Sequence, residues 1–441
     1  MSDEQSGQAT CWQPEIERMD REALGQLQLE RLEATLTRVY RTLPFYQQRF
    51  DAAGVDPDGV RSAEDLRRLP FTVKDDLRKN YPYGLFAVPL REVVRLHASS
   101  GTTGLATVVG YTRNDLRHWS SAVARVLVAG GVSKDDVVQV AFHYGLFTGG
   151  FGLHQGAELV GASVIPMSSG HTKQQLRIMQ DYRTTALCCT PSYAMHLADE
   201  LIEQGVPRGS LSLRVGLFGG EPWSDAMRRQ LEEKLQLSAT DNYGLSELMG
   251  PGVAGECQAK AGLHLAEDHF LAELVDPESG APAAPGAVGE LVLTTLTKEA
   301  FPLIRYRTGD LTTLTTERCA CGRTLARMGR VLGRTDDLLI IKGVKAYPSQ
   351  IEAVLVALEG ADPHYQIVLT RKAAMDEATV LVEVSEAIFF DEMRRQSGLR
   401  ETIARRLAEE LGVHVAVKLV ERKSLARGEG KAVRVVDRRE G

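Results

Sequence analysis

A loop rich in serine, threonine and glycine follows the apolar residues Val93 and Val94 and has the composition of a phosphate-binding loop. Its residues are Ser99, Ser100, Gly101, Thr102, Thr103 and Gly104. Glycines let backbone N–H groups approach a phosphate closely, and hydroxyls add further donors. The loop is not a Walker A motif, because GxxxxGK followed by Ser or Thr occurs nowhere in the chain. Taken alone, it is compatible with a nucleotide site and with an ordinary turn.

A glutamate on a glycine-flanked loop is the second candidate for chemistry. Glu247 ends the string YGLSE, which begins at Tyr243. Because Mg²⁺ is bound by one or two carboxylates together with substrate oxygens, Glu247 predicts a magnesium ion beside a phosphate; the alternative is a solvated loop residue. The next glycines, Gly250 to Gly255, spell GxGxxG. No apolar strand leads into that string and no clear helix follows it, which argues against a dinucleotide site.

Polar residues later in the chain extend the series. Asp310 lies in IRYRTGDL, Arg334 and Asp336 lie in GRTDDLLII, and Lys431 stands among glycines in SLARGEGKAVRV. Each is compatible with a polar turn when taken alone. As an ordered set with the two loops described above, they indicate a nucleotide site much more specifically than any one of them does.

Three cysteines and a histidine form a candidate metal site. They are Cys257 and His264 in ECQAKAGLH, and Cys319 and Cys321 in RCACGR. Thiolates and imidazole suit tetrahedral Zn²⁺, and a closed set of four ligands favours a structural role over catalysis. His269 is the rival fourth ligand. The alternative is that these residues are unrelated, since the two halves lie far apart in sequence.

Composition excludes several classes of protein. The chain has 441 residues, of which 43% are hydrophobic and 25% charged, and its net charge is -6. The acidic balance and the lack of a basic block argue against nucleic-acid binding and against a zinc-knuckle interaction protein. No apolar run reaches a membrane span, and the polar first ten residues do not resemble a secretory signal. The cysteine pattern does not resemble a disulfide framework, so we expect a cytoplasmic protein.

The elements that must position these residues follow from hydrophobic periodicity. Residues 15–43 predict a helical layer that passes through Pro44 into a loop, and residues 93–243 alternate apolar strands with amphipathic helices. Glycine- and proline-punctuated runs after Asp276 predict antiparallel strands. We therefore predict an α/β protein with a large layered N-terminal domain, which combines mixed and parallel sheets with a β-rich lobe over residues 1–335. A small α+β C-terminal domain over residues 336–441 follows it.

These motifs resemble those of the adenylate-forming enzymes, which include acyl-CoA synthetases, peptide-synthetase adenylation domains and luciferases. The resemblance is closer to the phenylacetate–CoA ligases and spans nearly the whole chain. The strings that carry it are HASSGTTG, YGLFTGG, EPW, YGLSE, TLTKEA, IRYRTGD and GKAVRVVD. It implies an ATP-dependent ligase that activates an aryl-acetic acid, with phenylacetate the best match, as an acyl adenylate and transfers the acyl group to coenzyme A.

The resemblance also implies a role for each motif. The Ser99–Gly104 loop should close over the β- and γ-phosphates of ATP, Asp310 should take the ribose hydroxyls, and Arg334 should reach the ribose or phosphate side. Glu247 should hold Mg²⁺. The remaining ATP-binding residues, most of them around the adenine, should be Gly220, Glu221, Pro222, Asp241, Asn242, Tyr243, Gly244 and Ser246.

Lys431 and Glu247 are the implied catalytic residues. Lys431 should sit between the carboxylate and the α-phosphate. The attack brings two anions together and builds charge at phosphorus, and a fixed ammonium relieves both. Because the CoA arm must then enter, a mobile C-terminal domain hinged at Asp336 is expected.

The acid pocket is where the sequence departs from the family pattern, since Phe142 and His143 stand where Tyr and Gly are common. The candidate pocket residues are Phe142, Tyr144, Phe147 and Gly220. The aromatic residues are equally compatible with an ordinary core. Another aromatic acid therefore stays open as the substrate. A carrier-protein thiol in place of CoA stays open as the acceptor, and a homodimer stays open as the oligomeric state.

Overall fold

The computed structural model describes residues 10–99, 106–207, 209–342, 344–358, 361–372, 375–384, 393–425 and 434–439. The chain divides into two compact units. The first comprises Met1–Cys189, Pro207–Gly220 and Leu237–Arg330, and the second comprises Thr190–Val206, Glu221–Gln236 and Val331–Gly441. The second unit takes two segments from the middle of the chain, which the sequence pattern did not indicate. The predicted boundary after residue 335 and the mobility of the second domain stay predictions.

Helices surround the sheets of the first unit. They are α1 (Pro14–Glu17), α2 (Arg21–Thr42), α3 (Pro44–Ala53), α4 (Ala63–Leu66), α5 (Lys74–Lys79), α6 (Arg113–Ala129), α7 (Thr148–Val160) and α8 (Thr172–Asp181). Helix α2 begins after Asp20, whose carboxylate accepts the N–H groups of Glu22 and Ala23 as an N-cap. The predicted loop after Pro44 is wrong. Pro44 is the first residue of α3, a position where a missing N–H costs nothing and the fixed φ suits a helix.

The strands of the first unit are β1 (Arg95–Ala98), β2 (Val108–Tyr111), β3 (Val137–Val140), β4 (Ser163–Ile165), β5 (Ala186–Cys189), β6 (Val215–Gly219), β7 (Ser238–Leu245), β8 (Gly250–Glu256), β9 (Leu263–Leu265), β10 (Phe270–Val275), β11 (Gly289–Thr295), β12 (Tyr306–Thr312), β13 (Leu314–Thr315) and β14 (Arg327–Met328). The largest sheet has the order β13-β14-β9-β8-β7-β6-β5-β3-β4. Strands β3 to β7 pair in parallel within it. The others in this sheet pair antiparallel.

The same unit contains two antiparallel groups outside the large sheet. Strand β1 pairs with β2, and β10, β11 and β12 pair in sequence order. The GxGxxG string lies in strand β8, which pairs antiparallel with β7. A dinucleotide fingerprint requires a glycine loop between a strand and a helix, so this string does not form one. The predicted α/β fold, with a parallel layer followed by an antiparallel region, is confirmed.

The second unit contains α9 (Pro191–Glu203), α10 (Asp225–Leu235), β15 (Gly333–Arg334), β16 (Leu339–Ile341), β17 (Val344–Ala346), α11 (Pro348–Val356), β18 (Ala361–Lys372), β19 (Met375–Val384), α12 (Met393–Leu411), β20 (Ala416–Glu421) and β21 (Val435–Asp437). Its sheet has the order β20-β19-β18-β21. Helices α11 and α12 bury Ile351, Leu355, Ile403 and Leu407 in a core shared with this sheet. No helix in the described part of the chain is long and apolar enough to cross a membrane.

Candidate active site

Hairpin β1–β2 holds the two ends of the Ser/Thr/Gly loop together. The Ser99 N–H donates to the Thr107 carbonyl at 3.0 Å, and the Thr107 N–H donates to the Ser99 hydroxyl at 3.2 Å. Ser100, Gly101, Thr102, Thr103 and Gly104 lie outside the described residues. The described residues on the two sides of positions 100–105 are therefore held together, as the base of a phosphate-binding loop requires.

A buried aromatic and cationic cluster lies beneath this hairpin. Trp119 stacks on Tyr111, with ring centroids 4.9 Å apart, and the Lys298 Nζ lies 3.1 Å from the centroid of Tyr111. His97 packs edge-on against both rings. Burial lowers the pKa of Lys298 to about 7 and that of His97 to about 4. In the sequence, Lys298 stood out only as part of TLTKEA. The signal that could have identified it as a buried residue is its position as an isolated lysine between apolar segments.

The YGLSE and IRYRTGD motifs meet through one short hydrogen bond. The Tyr243 hydroxyl donates to the Asp310 carboxylate at 2.5 Å, and Asp310 is buried. Tyr243 lies on β7 and Asp310 on β12. The bond fixes the orientation of the Asp310 carboxylate, which as an acceptor-only group can bind hydroxyl donors such as those of a ribose.

The neighbouring residues on β7 are also fixed. The Asp241 N–H donates to Glu256 at 2.8 Å, and the Asn242 amide donates to the Phe218 carbonyl on β6 at 2.7 Å. A Cβ on Gly244 would lie 1.9 Å from the Gly250 carbonyl oxygen, so only glycine allows β7 and β8 to approach this closely. Gly220 follows β6 with φ +82°. These residues lie at the carboxyl ends of parallel strands, where open α/β sheets bind ligands.

Glu247 is buried in the turn that follows β7. Its neighbour Ser246 lies with its hydroxyl oxygen 3.0 Å from that of Thr148, the first residue of α7. This contact joins the residue before Glu247 to Thr148 of the YGLFTGG string. A carboxylate is an oxygen ligand of the kind that Mg²⁺ prefers.

The predicted pocket aromatics divide into two groups. A Cβ on Gly149 would lie 2.5 Å from the Phe147 ring and 3.4 Å from the Phe142 ring, so both rings border the start of α7. Tyr144 contacts α7 further along the helix. Its hydroxyl lies 3.1 Å from the His154 Nδ1, its ring packs edge-on against Phe151, and burial raises its pKa. Tyr144 therefore packs against His154 and Phe151, whereas Phe142 and Phe147 pack near Gly149.

The remaining predicted residues belong to the second unit. Glu221 accepts the N–H of Ser192 at 2.8 Å, and Pro222 follows it. The Arg334 guanidinium pairs with Asp336 at 2.8 Å. Lys431 lies outside the described residues, so its placement stays a prediction.

The cysteine–histidine set comes together in the first unit. The ligand atoms of Cys257, His264, Cys319 and Cys321 all lie within 4.8 Å of one another. The Cys257 and Cys319 sulfurs are 3.8 Å apart, and the Cys321 sulfur is 3.5 Å from the His264 Nε2. Two thiolates bound at about 2.3 Å to a tetrahedral ion lie about 3.8 Å apart, and a thiolate and an imidazole lie about 3.5 Å apart. These two separations therefore match those expected in a tetrahedral metal site.

His269, the rival ligand, lies elsewhere. Its Nδ1 is 2.8 Å from the Thr297 hydroxyl and its Nε2 is 3.2 Å from Asp268. Both ring nitrogens therefore already have polar neighbours. Within the described residues, the cluster contains His264 and not His269.

Comparisons with known proteins identify the family. The AMP-binding enzyme model matches residues 87–296, and the AMP-binding enzyme C-terminal domain model matches residues 343–439. The chain is 52% identical to a phenylacetate-coenzyme A ligase of Thermus thermophilus, covering 97% of this chain and 99% of that one. It is 48% identical to the Escherichia coli phenylacetate-coenzyme A ligase, covering 96% and 97%.

The chain belongs to the phenylacetate–coenzyme A ligase family.

Solved structures agree with this family assignment. A 2-hydroxyisobutyryl-CoA ligase in its postadenylation state superimposes with a TM-score of 0.91 at 30% identity, covering 97% of this chain and 92% of that one. The same enzyme in its thioesterification state gives a TM-score of 0.72 at 32% identity, with coverages of 97% and 92%. The predictions of the ligase family and of an AMP-forming acid–CoA ligase are confirmed. ATP and CoA fit this family as substrates.

Proposed function

We propose that this phenylacetate–CoA ligase family member activates phenylacetate itself. The carboxylate attacks the α-phosphate of ATP, which gives phenylacetyl adenylate and releases pyrophosphate. The CoA thiol then attacks the acyl carbon, which gives phenylacetyl-CoA and releases AMP. The observation that carries the proposal is the 52% identity, over 97% of the chain, to a protein named phenylacetate-coenzyme A ligase.

The residues of the first unit supply nucleotide binding in this proposal. Asp310 accepts the ribose hydroxyls and is held in place by Tyr243, since a hydrogen bond of 2.5 Å between them fixes the carboxylate. Glu247 is the residue that would hold Mg²⁺, which neutralises phosphate charge when bound. The loop that begins at Ser99 surrounds the outer phosphates. Arg334, Glu221 and Pro222 are further nucleotide-binding residues in this proposal.

The test of the substrate is a comparison of acids. Acid-dependent ATP–pyrophosphate exchange is measured without CoA for phenylacetate, benzoate, 3-phenylpropionate and a short aliphatic acid. Phenylacetate is expected to give a kcat/KM about 10-fold or more above the others, since one methylene in an apolar pocket is worth about 10–200-fold. If another acid in the set exceeds phenylacetate by that factor, the substrate assignment is overturned while the family stands.

We also propose that the four-residue cluster binds a structural Zn²⁺ through Cys257, His264, Cys319 and Cys321. The matching ligand separations support the proposal, and a closed set of four protein ligands leaves no position for substrate. The ion would hold two segments of the first unit together. None of the six cysteines forms a disulfide bond. Unpaired cysteines and thiolate ligands persist in a reducing compartment, which supports a cytoplasmic location.

A homodimer stays a prediction.

Asp336 is proposed as the hinge between the half-reactions, and Asp336→Pro tests it. Proline fixes φ near −65°, so reorientation of the chain at this residue should be blocked. We expect thioester formation to slow on the order of 10-fold or more, while adenylation changes by less than about 3-fold. Rapid-quench measurement of both half-reactions decides the result.

Asp336→Ala is the matched control for the hinge variant. It removes the carboxylate that pairs with Arg334 but leaves φ free. An effect of the same size in the alanine variant would assign the loss to the ion pair. If the proline variant leaves both half-reactions unchanged, a rotation hinged at Asp336 is excluded.

A further inference from the structure

A buried glutamate in the second unit has no role in the mechanism described so far. Glu352 lies on α11 with 6% of its surface exposed. Its Oε2 lies 3.5 Å from the Arg434 Nη2 and 3.3 Å from the Tyr365 hydroxyl. The Arg434 guanidinium carbon lies 4.4 Å from the Tyr365 ring centroid. We refer to these residues as the Glu352–Tyr365–Arg434 cluster.

The cluster holds the Arg434 side chain in one place. The guanidinium has a carboxylate on one side and an aromatic face on the other, a geometry that a flexible ammonium would not reproduce. Tyr365 is fixed in turn, because its hydroxyl also lies 3.1 Å from the Pro348 carbonyl at the start of α11. Burial raises the pKa of Glu352 to about 7 and nearby Glu221 adds to that rise, whereas Arg434 opposes it. Arg434 therefore favours the ionised carboxylate.

The main chain at Arg434 is fixed as well. The Arg434 carbonyl accepts the N–H of Ile367 on β18 at 2.7 Å, and β21 begins at the next residue and pairs with β18 in parallel. On the other side of the intervening sequence, the Leu425 N–H donates to Glu383, a fully buried carboxylate on β19, at 2.9 Å. Both described residues that flank positions 426–433 are thus attached to buried carboxylates. Arg434 follows Lys431 by three positions.

Buried ion pairs are weak evidence for stability, because apolar residues of similar volume often serve as well. Their value lies in fixing geometry. A lysine that must meet an α-phosphate is sensitive to such geometry, since a misplacement of about 1 Å can cost about 100-fold in rate. The cluster holds the guanidinium of Arg434, which follows Lys431 by three positions in the sequence.

We propose that Glu352 is a positioning residue for adenylation, which acts through Arg434 on the chain segment that carries Lys431. This inference rests on the proposed role of Lys431. Glu352 and Arg434 touch neither ATP nor the acid in this account. Their removal should therefore lower the rate of adenylation without affecting CoA attack on a finished adenylate.

The test uses Glu352→Gln and Arg434→Met in the full-length enzyme. Phenylacetate-dependent ATP–pyrophosphate exchange should fall about 10- to 100-fold in kcat, with the KM for ATP changed by less than about 3-fold. Thioester formation from supplied phenylacetyl adenylate should stay within about 3-fold of the wild type. Arg434→Lys should recover only part of the exchange rate, because it keeps the charge and loses the planar contact with Tyr365.

Arg439→Gln is the matched control, since Arg439 lies just beyond the other end of β21 and pairs with Asp437 and Asp376. Its exchange rate should change by less than about 2-fold, because these ion pairs are partly exposed and involve neither Glu352 nor Arg434. Thermal unfolding of every variant checks the fold. If Glu352→Gln does not fold, Tyr365→Phe, which removes one hydroxyl from the cluster, takes its place.

Lys431→Ala separates failure of this inference from failure of the proposed function. If Glu352 acts through Lys431, Glu352→Gln should lower exchange by less than about 2-fold in the Lys431→Ala background. A full additional loss in that background, an equal loss in both half-reactions or an unchanged single variant would overturn the inference. If Lys431→Ala alone leaves exchange unchanged, the proposed role of the lysine fails instead.

Discussion

Replacing Lys431 with alanine should lower phenylacetate-dependent ATP–pyrophosphate exchange about 10²- to 10³-fold, the scale of one preorganised charge-stabilising donor. Two anions meet when the carboxylate approaches the α-phosphate, and the phosphorus gains negative charge in the transition state. An ammonium at that point offsets both effects. CoA attack on supplied phenylacetyl adenylate needs no such charge, so this half-reaction should be much less affected.

The control for this prediction is Lys418→Ala. Lys418 is exposed on β20 of the same unit, and its removal changes the net charge by the same amount. Exchange should change by less than about 2-fold in that variant, because exposed charges contribute little. Equal loss of both half-reactions in Lys431→Ala would show that the lysine does more than assist adenylation, and would count against its assignment.

Replacing Cys319 with alanine should remove the proposed zinc ion and destabilise the first unit. We expect about one zinc per chain in the wild type by elemental analysis, and a strong loss of zinc in the variant, because three ligands hold the ion far less tightly than four. Loss of a structural metal is among the large destabilising changes, on the order of 4–5 kcal/mol, which corresponds to a fall in Tm on the order of 10 °C.

Cys188→Ala is the control for the metal prediction. Cys188 is fully buried in β5 and does not belong to the cluster, so its replacement should cost some packing and leave the zinc content unchanged. Wild-type protein that contains no zinc, and is nevertheless fully folded and active, would exclude the structural metal.

The metal cluster shows how far the sequence alone could lead. The residue types indicated tetrahedral coordination, but Cys257 and Cys319 are 62 positions apart and spacing could not show that they meet. Antiparallel pairing of β9 with β14 joins the two halves, since His264 pairs with Arg327 just after the RCACGR turn. Such pairing depends on register across the whole sheet. For the same reason the sequence could not decide between His264 and His269.

The nucleotide residues were accessible from motifs, whereas the contacts among them were not. The strings YGLSE and IRYRTGD predicted Tyr243 and Asp310 separately, and only the fold shows the hydrogen bond between them. Lys298 gave a signal only as part of TLTKEA and Glu352 gave none, because a buried charge is recognised by its surroundings and these are set by long-range packing. Helix α3 was missed because Pro44 was interpreted as the end of the preceding helix, whereas it is the first residue of a new one.

The central claim is that this protein makes phenylacetyl-CoA through a phenylacetyl adenylate. The most direct measurement is product analysis with phenylacetate and ATP, first without CoA and then with it. Without CoA, labelled pyrophosphate should exchange into ATP in a phenylacetate-dependent reaction. With CoA, AMP, pyrophosphate and phenylacetyl-CoA should form in equal amounts. Formation of ADP and phosphate, or pyrophosphate exchange that does not depend on the acid, would contradict the account.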